Sequence, residues 1–142
     1  MHPLLRLPHL LWVAAAALTL AALPTPSVAQ NWAVGGLDAV ELFSSGRPIA
    51  GRSDLGTVWK GRTWLFASEP NRSAFEANPR RFAPALGGLC PASLAEGARV
   101  PGRPELAVVI GGRMYLPSSV RHRSILLADP DGVLAAARAA AR

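Results

Sequence analysis

The sequence predicts a small α+β domain in which short helices surround two β-hairpins. Two pairs of aromatic or β-branched runs are joined by glycine-containing dipeptides. Asp or Ser residues stand ahead of the short helical stretches, and residues 30–142 are long enough for one core but not for two.

The segment Asn31 to Gly36 is short and ends in glycine, and Asp38 then occupies an N-cap position before Ala39-Val40-Glu41-Leu42-Phe43. A short helix is expected there, closed by Ser44-Ser45-Gly46. Thr57-Val58-Trp59 and Arg62-Thr63-Trp64-Leu65-Phe66 flank Lys60-Gly61 and predict the first hairpin. Strand alternation puts Trp64 and Phe66 on one face, expected to point inward, and Thr63 and Leu65 on the other.

Ser68 caps a predicted helix from about Glu69 to Ala77, with Pro70 in its first turn, where a missing N–H is harmless. Asn78-Pro79 ends it, and a helical turn through Arg80-Arg81-Phe82 leads to Pro84. Gly87-Gly88 precedes a predicted helical segment, Leu89 to Glu96. Leu106 to Ile110 and Arg113 to Leu116 surround Gly111-Gly112 and predict a second hairpin. Ser118 or Ser119 caps the next helix, which Asp129-Pro130-Asp131-Gly132 is expected to break near Ala128. The alanine-rich segment Ala135 to Arg142 favours helix but has few large apolar side chains, so its last turns are expected to fray. No internal repeat or low-complexity linker is recognised in residues 31–142.

Residues 1–29 read as a signal peptide. Arg6 precedes a fourteen-residue apolar run, Leu10 to Leu23, and Ser27-Val28-Ala29 supplies small residues for cleavage between Ala29 and Gln30. The run is shorter than the roughly 20 residues of a membrane-spanning helix, and Pro24 and Pro26 follow it. A periplasmic or secreted protein without a transmembrane anchor is expected.

The mature chain carries fourteen basic and nine acidic residues, a net charge of +5. Its arginines are scattered, without the basic stripe of a nucleic-acid binder. Cys90 is the only cysteine, which excludes an internal disulfide.

Several segments resemble, in order, those of secreted bacterial YHS-domain proteins. Gly36 to Phe43 resembles the GYDPVAYF segment of that family. Trp59 to Ser68 resembles its W-x-G-x-x-W-x-F-A-S hairpin, and Asn71 to Pro84 its N-R-x-x-F-x-x-x-P-x-x-Y-A-P segment. Gly87-Gly88-Leu89-Cys90 is similar to G-G-Y-C, and Gly112 to Leu116 to G-K-L-Y-L. The family's tyrosines are replaced by Leu37, Leu42, Leu89 and Phe82. The metal-linked cysteine pair implied by wider YHS domains falls on Ala67 and Asn71, neither of which can act as a thiolate ligand.

The resemblance implies an exported, non-enzymatic binding or accessory protein, with a metal ion or small molecule as its ligand. Ligand-binding candidates are Cys90, His122, Met114 and Asp38; no residue is singled out as catalytic, and no cofactor is identified. Cys90 stands before a helix start, where a thiol pKa is lowered, but an unpaired cysteine also suits a core. His122, the only histidine after the leader, lies between Arg121 and Arg123 and is expected on a solvated face. A thiol-dependent enzyme using Cys90 with His122 is one alternative, and it requires the two side chains to meet. An arginine-mediated anion- or surface-binding protein is another. Arg80-Arg81 can grip an anion, although paired arginines usually face water. One cysteine and one histidine do not make a closed zinc site. Cys90, Met114 and His122 are the only sulfur and imidazole groups in the mature chain that could serve copper(I).

Overall fold

The computed structural model describes residues 31–142. The leader and its cleavage point lie outside the described residues. The two expected hairpins are present, each an antiparallel two-stranded sheet, and short helices surround them.

The described residues open with a tight turn, Ala33–Gly36, in which Val34, Gly35 and Gly36 all have positive φ. Asp38 caps α1, Ala39–Ser45, as its sequence position predicts. The hairpin of β1, Arg52–Trp59, and β2, Arg62–Phe66, follows. Strand β1 starts earlier than its apolar pattern suggests, because Arg52 pairs with Phe66 before a bulge in which Ser53, Asp54 and Leu55 stand between Arg52 and Gly56, where regular pairing with Leu65 resumes. Ser68 accepts from Asn71 N to cap α2, Glu69–Ala77, and the single turn α3, Pro79–Phe82, completes this half.

The same path is then repeated, which corrects the reading of a chain without internal repeats. Ala85-Leu86-Gly87-Gly88-Leu89 forms a second tight turn with positive φ at Leu86, Gly87 and Gly88, matching Ala33-Val34-Gly35-Gly36-Leu37. Cys90 takes the place of Asp38 at the start of α4, Pro91–Ala95. The hairpin of β3, Val108–Ile110, and β4, Arg113–Tyr115, precedes α5, Val120–Ala128, capped by Ser119, and α6, Pro130–Ala140.

The hydrogen bonds of the two halves correspond. Asp38 N donates to Ile49 O at 2.8 Å and Gly51 N to Gly36 O at 2.9 Å; Cys90 N donates to Val100 O and Gly102 N to Gly88 O, both at 2.8 Å. Gly51 lies so close to Leu65, and Gly102 to Leu116, that a side chain at either glycine would strike the backbone of that facing leucine. The helix junctions also match, since Asn78 and Asp129 share an extended φ near −150° and −141° and each precedes a proline that starts the next helix. Asp129 therefore does more than end α5. Its carboxylate caps α6 by accepting from Gly132 N, so the expected break is a corner, and the expected frayed tail is helical through Ala140.

Packing differs between the halves. Trp64, Phe66, Phe75 and Phe82 form an aromatic core with Leu42 and Met114, into which Leu116 also packs. A smaller cluster, aliphatic but for Tyr115, joins Ala85, Val108, Tyr115, Leu126 and Leu134. Trp64 and Phe66 point inward as strand alternation predicts, but Leu65 on the opposite face is buried too, beneath Gly51 and Gly56 of its own hairpin. Among the described residues, no helix is long and apolar enough to cross a membrane.

Candidate functional site

Three of the expected ligand residues fall into two equivalent places, one in each half. In the first, the buried Asp38 carboxylate accepts four hydrogen bonds: Val40 N at 2.8 Å and Glu41 N at 3.1 Å to Oδ1, and Ala67 N and Asn71 Nδ2, both at 2.8 Å, to Oδ2. These contacts use the acceptor capacity of a carboxylate. Asp38 ties α1 to the end of the hairpin and to α2.

In the second half Cys90 replaces Asp38, and His122 replaces Asn71. The sulfur lies 3.5 Å from His122 Nδ1, close enough for the pairing that thiol chemistry requires. The same imidazole nitrogen is 2.8 Å from Ser118 Oγ and 3.2 Å from Ser93 Oγ, while Nε2 faces Glu96 at 3.9 Å. His122 is thus turned inward, not onto the solvated face that its arginine neighbours suggest. Successive helical residues are rotated by about 100°, which leaves Arg121 and Arg123 exposed on either side of it.

Burial raises the Cys90 thiol pKa, but hydrogen bonds from the Ser118 and Ser93 side chains and their backbone N–H groups outweigh it and lower the value to about 7. Ser93 N and Ser118 N occupy the positions of Glu41 N and Ala67 N around Asp38. The second half thus directs toward sulfur the donors that the first half directs toward a carboxylate. Cys90 itself is fully buried.

Met114 is also fully buried, within the aromatic core. Among the described residues, no three His, Cys, Asp or Glu side chains gather where a metal ion could be held.

A cavity lies elsewhere, between the two halves. It is a cleft of about 620 Å³ walled by the two positive-φ turns and by residues at the tips of both hairpins. Trp59, Trp64, Leu86, Leu89 and Leu116 contribute apolar surface, and Lys60, Arg62 and Arg113 contribute cations. Among the described residues, no acidic side chain lines it.

Val34, Lys60 and Leu86 are the non-glycine residues with positive φ among those described, and all three line this cleft. Val34, at φ +44°, is β-branched, for which this conformation is a true outlier. Backbone strain of this kind costs on the order of 1–3 kcal/mol per residue and concentrates where function requires a fixed shape.

No family model, curated protein or solved structure matches the chain.

Sequence reading missed the cleft because its walls come from five segments far apart in the chain. The signal available was the paired Ala-Val-Gly-Gly-Leu and Ala-Leu-Gly-Gly-Leu segments, which place a strained hydrophobic residue before two glycines twice.

Proposed function

We propose that this protein is an exported, non-enzymatic binding protein of the YHS type whose small ligand occupies the cleft between its halves. One observation carries the reading: all three non-glycine residues held at positive φ among those described meet at this cavity. Its volume of about 620 Å³ lies within the range of small-molecule sites. The leader-like residues 1–29 support export, and the ordered motifs from Gly36 to Leu116 support the family assignment. Leu89, which stands where the family has tyrosine, lines the cleft and makes this member's site more apolar.

Backbone amide NMR of residues 30–142 with a library of small soluble fragments tests the binding reading. Shifts confined to residues 33–35, 59–64, 85–89, 102, 113 and 116 are expected for bound fragments. A library that perturbs no residue in these segments would contradict it.

The 3.5 Å contact between Cys90 and His122 favours a second reading, thiol-dependent chemistry. Full burial of the sulfur opposes it for any substrate larger than a few atoms. Iodoacetamide separates the two readings. Modification of native protein as fast as of unfolded protein would favour the thiol enzyme, and protection until unfolding would favour the binding protein.

A further inference from the structure

We propose that the ligand of this cleft is a small amphiphile with one oxyanion group, a carboxylate or a phosphate, held among Lys60, Arg80 and Arg113. This rests on the cleft being a ligand site and adds the chemistry it selects.

The cleft continues into a recess of about 190 Å³ lined by Trp59, Lys60, Arg80, Ala83, Pro84 and Arg113. All but Arg80 also line the main cleft, so one ligand can reach both spaces. Three of the six recess residues are cationic, and neither space is lined by a carboxylate. Among the described residues, the arginines that form ion pairs with carboxylates are Arg52, Arg72 and Arg103, none of them in the recess.

The cations come from three elements and are positioned separately. Lys60 stands at the first hairpin tip with its ammonium 4.8 Å from the Trp59 ring. Arg80 projects from α3, while its neighbour Arg81 lies over the rings of Phe43 and Phe82 at 5.3 and 5.7 Å. The Arg80-Arg81 pair therefore divides, one arginine packing on aromatic rings and the other lining the recess.

Arg113 corresponds to Arg62 of the first hairpin. Arg62 donates to Trp32 O at 2.6 Å, whereas the Arg113 guanidinium makes no side-chain hydrogen bond among the described residues. Like charges around a small recess repel one another, and an oxyanion both relieves that repulsion and accepts charge-assisted hydrogen bonds from them. The apolar wall of Trp59, Leu86, Leu89 and Leu116 then suits an apolar body, not a free inorganic ion.

Calorimetric titration with 1-naphthyl phosphate, 1-naphthoate, uncharged 1-naphthalenemethanol and inorganic phosphate tests the assignment. At least one naphthyl anion is expected to bind roughly tenfold or more tightly than the alcohol. The Arg80→Gln/Arg113→Gln variant, altered only at exposed residues, is expected to lose most of that advantage while binding the alcohol as before. The better of the two anions distinguishes a phosphate ligand from a carboxylate. Equal binding of alcohol and anions would overturn the oxyanion assignment and leave the cleft as a ligand site. Inorganic phosphate binding as tightly as naphthyl phosphate would overturn the apolar body. No binding of any probe by a folded protein would overturn the assignment together with the cleft reading beneath it.

Discussion

Asp38 and Cys90 begin equivalent helices, receive hydrogen bonds from equivalent backbone positions and face equivalent residues, Asn71 and His122, yet they differ in chemistry. The first pair is an ordinary carboxylate with a neutral amide, saturated by four hydrogen bonds. The second is a thiol, held at a pKa of about 7 by its serine neighbours, beside an imidazole. One backbone arrangement therefore serves as a fixed strut in one half and as a titratable contact in the other. Similar geometry, without similar side chains, does not imply a similar role.

The largest effect should come from the aromatic core that only the first half possesses. Trp64→Ala is expected to cost about 3–5 kcal/mol in denaturant unfolding, because the ring is buried against Phe75 at a centroid distance of 4.7 Å. A loss below about 1 kcal/mol would place Trp64 outside the core.

Comparing the two pairs sharpens the contrast. Asp38→Ala strands the Ala67 and Asn71 donors as well as removing a helix cap, and is expected to cost on the order of 3 kcal/mol. Cys90→Ala removes one sulfur whose side-chain neighbours Ser93, Ser118 and His122 also contact one another, and should cost about 1 kcal/mol. Equal losses in urea titrations would break the distinction between strut and titratable contact.

The smallest effects should be alike in the two halves. Ser68 and Ser119 both accept from the backbone N–H three residues onward, Asn71 N at 3.3 Å and His122 N at 3.0 Å. Ser68→Ala and Ser119→Ala should each reduce stability by about 1 kcal/mol. A large difference between them in thermal unfolding would show that the repeat does not extend to its helix caps.

Much of this architecture is legible in the sequence where one residue type has one strong physical preference. Trp64 and Phe66 beside Lys60-Gly61 specify a hairpin, and Asp38, Ser68 and Ser119 specify helix starts. The repeat is harder to read, because it survives as backbone conformation while the side chains diverge. Phe75 corresponds to Leu126, Asn71 to His122 and Asp38 to Cys90, and the spacing between the halves shortens by one residue between the helix start and Gly51 or Gly102. The Cys90–His122 contact was obscured by Arg121 and Arg123, whose charge describes the outside of α5 and not the direction of the residue between them. The cleft is not encoded in any single segment; it exists only once the two halves have packed.

The equivalence of the two pairs is tested most directly by folding stability in urea between pH 6 and 9, for the native sequence and for Cys90→Asp/His122→Asn, which copies the first pair into the second half. The Cys90 pKa falls on folding, from the ordinary thiol value to about 7. Its stabilising contribution is therefore fully present above the unfolded value of about 8.5 and is lost as pH falls through the folded value. The native sequence is expected to gain stability from pH 7 to 9 relative to the double variant, which should fold and lack that gain. A double variant that cannot fold would contradict the equivalence, and two parallel pH profiles would contradict the titratable character assigned to Cys90.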